Sequence, residues 1–193
     1  VTHPAPIAHY ENFPVASWLC PAHLRSPIAA IYHFARTADD IADEGHATPQ
    51  ERLDTLQAYR NDLTGAYAQP PVASTRWPQV FGPLQQASSA FRLPAQLLHD
   101  LLDAFSQDIA KSAAGTGYAD EAELLDYCRR SANPVGRLLL HLYGVTDALA
   151  LARSDAICTA LQLINFWQDL GTDIPRGRYY LPAADCARFG VSQ

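Results

Sequence analysis

Residues 161–182, LQLINFWQDLGTDIPRGRYYLP, constrain the fold of this chain more than any other stretch. Asn165, Asp169 and Asp173 recur at i+4 spacing, which on a helix climbs about 6 Å per step and stays on one face. The carboxylates of Asp169 and Asp173 repel each other in that arrangement unless a cation offsets them. Hard oxygen donors on one stripe suit Mg²⁺, which takes carboxylates, water and phosphate oxygens. Pro175 ends the helix, and Arg176, Arg178 and Tyr179 follow where an anion held by such a metal would lie within reach. A solvated acidic stripe would account for an isolated D-x-x-x-D pair. The flanking Leu161, Leu163, Ile164, Phe166, Trp167 and Leu170 are apolar nearly all round, however. The expectation is a buried helix whose carboxylates need a partner.

A second acidic edge lies upstream. In RTADDIADE, Asp39, Asp40 and Asp43 form a D-D-x-x-D at the end of a helical pattern. Carboxylates there oppose both one another and the helix macrodipole, which favours cations at a C-terminus. A frayed, solvated helix end is one explanation and a bound ligand is the other. Two such edges, each closing a largely apolar helix, could face one another, hold Mg²⁺ ions and bind a diphosphate between them.

The remaining periodicity is helical almost throughout, with no sustained strand-like alternation. Helices are expected over 28–43, from Thr48 to about Ala68, and over 77–91. Others should run from Pro94 to about Lys111, over 121–131, over 137–143 and over 148–171, the last open to a break near Arg153 and Ser154. A shorter pattern covers 9–19. Thr48-Pro49-Gln50-Glu51 reads as a capping box, and Gly45 as a stop. Asn133-Pro134-Val135-Gly136 interrupts one helix, and 112–117 is a small, flexible connector. Such a chain is a single all-α domain, a bundle of about six to eight helices. Phe13, Tyr32, Phe34, Tyr127 and Trp167 are aromatics that could line a cavity or simply fill a core.

Composition closes off several function classes. The formal net charge is −6 with no basic cluster, which argues against nucleic acid as a partner. No run of 18 apolar residues could span a membrane, and the first residues lack a signal-peptide pattern. Cys20, Cys128, Cys158 and Cys186 lack metal-ligand spacing and are expected to be free cytosolic thiols. His23, His33, His99 and His141 have no supporting partners, and zinc is not indicated.

The segments AIYHFARTADDIADEG, DYCRRSANPVGRLL and QLINFWQDLGTDIPRGRYYLP, in that order, resemble the squalene/phytoene synthase family of head-to-head isoprenoid synthases. ENFPVAS and YCRRSANPVG are most similar to its bacterial hydroxysqualene synthase branch, which works in hopanoid biosynthesis. The resemblance implies an all-α isoprenoid synthase fold, a central apolar cavity and Mg²⁺ held by Asp39, Asp40, Asp43, Asn165, Asp169 and Asp173. It further implies diphosphate contacts from Tyr32 and Arg36, and a cavity lining from Tyr127, Val135 and Gly136. Arg176, Arg178 and Tyr179 would close over the phosphates. His9 and Asn12 occupy a diphosphate-contact position at which Asn12 replaces the usual Ser, and Asp108 resembles the family's acidic residue ahead of the Tyr127 helix. Members of the family continue well past the YLP segment, so the domain is expected to be incomplete at its C-terminus.

The expected function is Mg²⁺-dependent conversion of presqualene diphosphate to hydroxysqualene with release of diphosphate. No dinucleotide fingerprint points to a reductive step. The alternatives are head-to-head condensation of two prenyl diphosphates (to presqualene diphosphate, squalene or phytoene) and a non-catalytic relative serving as a binding module. The resemblance also implies coupling to a presqualene diphosphate synthase and a cytoplasmic location, with peripheral membrane contact for the apolar product.

Overall fold

The computed structural model describes residues 20–192. No β-strand occurs among them, and the described chain is all-α, as expected. The helices are α1 (Ala22–Asp43), α2 (Pro49–Ala66), α3 (Pro78–Phe91), α4 (Ala95–Ala114), α5 (Glu121–Ser131), α6 (Asn133–Leu142), α7 (Ala148–Gln168), α8 (Leu170–Asp173) and α9 (Ala183–Phe189). A 3₁₀ turn over Ile174–Arg176 links α8 to the last segment. All four cysteines are free thiols.

Helix α1 is the central element and packs against α2, α3, α4 and α6. It begins at Ala22, well before the expected start at residue 28, and carries Pro27 within it. Pro27 forfeits the bond its N–H would make to the carbonyl of residue 23, and burial of Leu24, Pro27 and Ile28 offsets that loss. Phe34 stacks on Tyr59 at 5.2 Å, and the Tyr59 ring meets that of Phe81 at 4.7 Å. The Tyr59 hydroxyl donates to the Phe34 carbonyl at 3.1 Å, which satisfies its polar atom inside the core. Phe34 is therefore core rather than cavity lining.

The capping box at the start of α2 is formed. Thr48 N–H donates to Glu51 Oε2 at 2.8 Å, and Glu51 N–H donates to Thr48 Oγ1 at 3.3 Å. Helix α4 continues to Ala114, so half of the expected connector is helical, and Gly115 ends it at φ +62°. The interruption at Asn133 shrinks to Ala132, because Pro134 sits in the first turn of α6, where its missing N–H costs little. Asn133 is buried and accepts from Thr159 Oγ1 at 3.0 Å, tying the break to α7.

Helix α7 corrects two expectations. It runs unbroken through Arg153 and Ser154, both ordinary helix residues. It is also not buried all round. Its contacts run along the face toward α5 and α6, and of its residues Phe166 alone is buried. Along the opposite side, exposure ranges from 43% for Ile164 to 60% for Ile157, with Leu149, Leu161 and Trp167 between.

Where α6 crosses α7, Gly136 is required by space. A Cβ there would lie 2.4 Å from Ser154 Oγ and 2.6 Å from Cys158 Sγ. Gly136→Ala should therefore destabilise the protein by about 1–3 kcal/mol, read as a lowered denaturant midpoint. Adding Ser154→Ala and Cys158→Ala should recover most of that loss. A Gly136→Ala protein as stable as the parent would contradict the packing.

Candidate active site

The carboxylates of both acidic edges reach one place because the C-terminal ends of α1 and α7 converge. Asp39 and Asp43 of α1, Asn165 of α7, and Asp169 and Asp173 line a single cavity of about 980 Å³. The expected helix over 148–171 is divided at Asp169, whose backbone departs to φ −97°, ψ 8°. The one-face pattern survives that bend. Asp169 N–H donates to the Asn165 carbonyl at 3.0 Å, and Asp173 N–H to the Asp169 carbonyl at 2.8 Å.

Past Pro175, Gly177 at φ +75° turns the chain back, and Arg178 N–H donates to the Asp173 carbonyl at 3.0 Å. That turn delivers the Arg178 guanidinium between the two edges. Its Nη2 lies 2.5 Å from Asp43 Oδ1 and its Nη1 lies 3.9 Å from Asp173 Oδ1. One cation thus bridges a carboxylate from each side.

A further cation props up the α1 side. Arg52 Nη1 donates to the Ala42 carbonyl at 2.5 Å, Nη2 to Gly45 at 3.0 Å and Nε to Ala47 at 3.1 Å. It holds the C-terminal carbonyls of α1 and supplies the positive charge that the acidic helix end lacks. Arg36 engages Asp39 and Asp40 of its own helix, each at 3.0 Å.

The cavity is amphiphilic. Ile28, Ile31, Tyr32 and Ala35 of α1, Phe105 of α4, and Val135 and Leu139 of α6 give it apolar walls. Near the acidic end is an aromatic cluster in which Phe166 and Tyr180 stack at 3.8 Å, with Tyr127 6.0 Å from Phe166. Tyr127 donates its hydroxyl hydrogen to Asp108 Oδ2, and Tyr118 donates to Oδ1 at 3.4 Å. Asp108 is half-buried in the wall of the cavity, and burial raises its pKa to about 7 despite the tyrosine bond. Burial, and then the like charge of Asp43, raises Asp39 to about 6. Burial also raises Asp43 and Asp173, against the lowering pull of Arg178.

Of the site residues expected from sequence, Asp39, Asp43, Asn165, Asp169, Asp173, Tyr32, Arg36, Tyr127, Val135 and Arg178 line this cavity. Asp40 does not, although it pairs with Arg36, which does, and Gly136 serves the α6–α7 crossing. Arg176 lines a neighbouring cavity, and Tyr179 lines neither, its place in the main cavity being taken by Tyr180. Trp167 is exposed. His9, Asn12 and Phe13 lie outside the described residues. Phe105, Asp108, Phe166 and Tyr180 are among the other lining residues, and Arg52 supports the edge from α2. The sequence signal for Arg52 was slight, a lone cation four residues after a cap.

As a test of metal fit, the five cavity-lining donors are all hard oxygens. Among the described residues no three acidic, His or Cys side chains already converge as a ligand cluster. The donor chemistry is of the kind Mg²⁺ takes, which keeps water and phosphate oxygens beside a few carboxylates rather than an all-protein cage.

Fold and site together describe an all-α bundle of the isoprenoid synthase fold, with a chamber apolar along its walls and rich in carboxylates at one end. The match to the squalene/phytoene synthase model over residues 7–193 makes the chain a member of that family. The hydroxysqualene synthase of Zymomonas mobilis is 40% identical over 94% of this chain and 61% of its own length. That of Sinorhizobium fredii is 38% identical over 94% and 58%. A presqualene diphosphate synthase of Zymomonas mobilis is 29% identical over 95% and 60%. The crystal structure of a squalene synthase from Alicyclobacillus acidocaldarius superposes with a TM-score of 0.81 at 38% identity, covering 95% of this chain and 65% of that one. The chain thus spans about three-fifths of the length of the curated relatives it matches. No helix among the described residues is long and apolar enough to cross a membrane.

The raised carboxyl groups set a pH dependence. A folded state that holds protons more tightly than the unfolded chain gains stability at low pH and loses it as pH rises through the folded pKa. Without divalent metal, the melting temperature should fall as pH climbs from about 4 through 6 for Asp39 and through 7 for Asp108. Asp39→Asn and Asp108→Asn should each flatten that slope. A parent whose melting temperature rises across this interval, or variants whose melting temperature falls in step with the parent's, would contradict the burial of these groups.

Proposed function

We propose that the protein to which this chain belongs converts presqualene diphosphate to hydroxysqualene and diphosphate with Mg²⁺. The observation carrying this reading is the apolar chamber closed at one end by two carboxylate edges with Arg178 between them. The likeness of the chain to hydroxysqualene synthases supports this reaction over others of the family. Condensation of two prenyl diphosphates is the second reading, favoured by the weaker likeness to a presqualene diphosphate synthase.

Asp39, Asp43, Asn165, Asp169 and Asp173 would hold Mg²⁺, and Asp40 would support the edge through Arg36. Bound there, the metal would neutralise the diphosphate and make it a better leaving group. Arg178 offers the same anion a guanidinium at the join of the two edges. The walls from Ile28 to Leu139 bind the hydrocarbon tails and exclude bulk water while the cation exists. The ring faces of Tyr127, Phe166 and Tyr180 stabilise that positive charge. Water captures the rearranged cation as an alcohol. A separate presqualene diphosphate synthase would supply the substrate, and the apolar product would leave toward a membrane surface.

Full-length protein given presqualene diphosphate and Mg²⁺, without NADPH, should release the alcohol and diphosphate in equal amounts. Consumption of farnesyl diphosphate to presqualene diphosphate at a comparable rate would favour condensation instead. Asp169→Asn tests the metal role separately. Asp169 forms no ion pair with Arg137 or Arg36, which bind Asp155 and the α1 carboxylates. Losing one charge beside Asp173 should leave the melting temperature in EDTA unchanged or slightly raised, by a few tenths of a kcal/mol at most. Turnover should fall by about a thousandfold or more. A variant that melts much earlier yet turns over normally would refute the ligand role.

A further inference from the structure

A second cavity, of about 510 Å³, lies against the acidic end of the first. The two share Asp43, Asp108 and Arg178 as a common wall. Beyond that wall the second cavity is bounded by Arg52, Arg176 and Ser112, with Ala113 at the C-terminal end of α4. Polar and charged groups of this kind hold water, whereas the apolar walls of the main cavity do not. Under the reading given above, the substrate's hydrocarbon fills the main cavity, yet one water must still reach the cation.

We infer that the second cavity is the water inlet for the reaction, and that Asp108, in the wall between the cavities, takes the proton which that water loses. The inference rests on the product being an alcohol. The carbon–oxygen bond to diphosphate breaks first, and its electron pair leaves with the diphosphate. A lone pair of the entering water then forms the new carbon–oxygen bond. The resulting oxonium gives one proton to an Asp108 oxygen, and from there the proton passes to water in the second cavity. Asp108 suits this place better than Asp43, whose carboxylate is taken by Arg178 at 2.5 Å. Among the described residues Asp108 forms no ion pair, and tyrosines 118, 127 and 180 orient it by hydrogen bonds.

The test uses full-length protein, presqualene diphosphate and Mg²⁺, with diphosphate release and product composition read separately. Ala113→Phe and Ser112→Leu place bulk in the second cavity and lie outside the main one. Diphosphate release should stay within about twofold of the parent, while the alcohol share falls about fivefold or more and hydrocarbons formed by proton loss take its place. Asp108→Asn should lower the alcohol share with the second cavity still open, and Asp108→Glu should restore part of it. An unchanged alcohol share in both folded plugged variants would overturn the inference, as would a parallel loss of release and alcohol. Ala113→Val, a smaller addition, keeps the test open should the larger ones misfold, and should give a graded drop. If the parent itself makes no alcohol, the parent reaction has been misassigned, which is a separate failure.

Discussion

Repulsion between carboxylates gathered at the ends of two helices is the constraint on which this structure turns. Asp39 and Asp43 close α1, where the helix dipole disfavours negative charge, and Asp169 and Asp173 follow the C-terminal end of α7. Burial makes this worse, which is why Asp39, Asp43 and Asp173 all hold their protons more tightly than free carboxyls. A purely structural sequence would have no reason to keep such an arrangement.

The fold tolerates it through cations delivered from elsewhere. Arg52 reaches back from α2 to the carbonyls that end α1, and Arg178 is turned inward by Gly177 to bridge Asp43 and Asp173. Neither arginine neutralises the whole set, so the acidic end keeps an unmet demand for positive charge. The apolar chamber begins directly beside it, on the same α1 face that carries Ile28, Ile31 and Ala35. A ligand with a hydrocarbon body and an anionic, metal-bound head meets both demands at once.

Much of this was legible in the residues. The i+4 spacing of Asn165, Asp169 and Asp173 and the D-D-x-x-D at residues 39–43 located both edges, because helix geometry maps such spacing directly onto one face. Local rules also gave α2 and its capping box. What was not legible depends on long-range packing or on irregular backbone. Apolar residues all round α7 suggested burial, but composition does not say which neighbours a chain supplies, and one side of that helix stays uncovered. After Gly177 no helical period remains to choose between adjacent tyrosines, and Tyr180 rather than Tyr179 enters the cavity. Arg52 acts across a turn on carbonyls, which leave no mark in a side-chain pattern. Helix α9 was not read, although Pro182 before it and Asp185 in its first turn are ordinary start signals.

The central claim is that the two edges work as one metal-dependent anion site. Calorimetric titration of full-length protein with inorganic diphosphate tests it most directly, with and without Mg²⁺, in the parent and in Asp39→Asn and Asp173→Asn. These variants alter one edge each. Diphosphate should bind only when Mg²⁺ is present, and either substitution should weaken binding by about tenfold or more. Binding that ignores Mg²⁺, or that survives the loss of a carboxylate from either edge, would contradict the account.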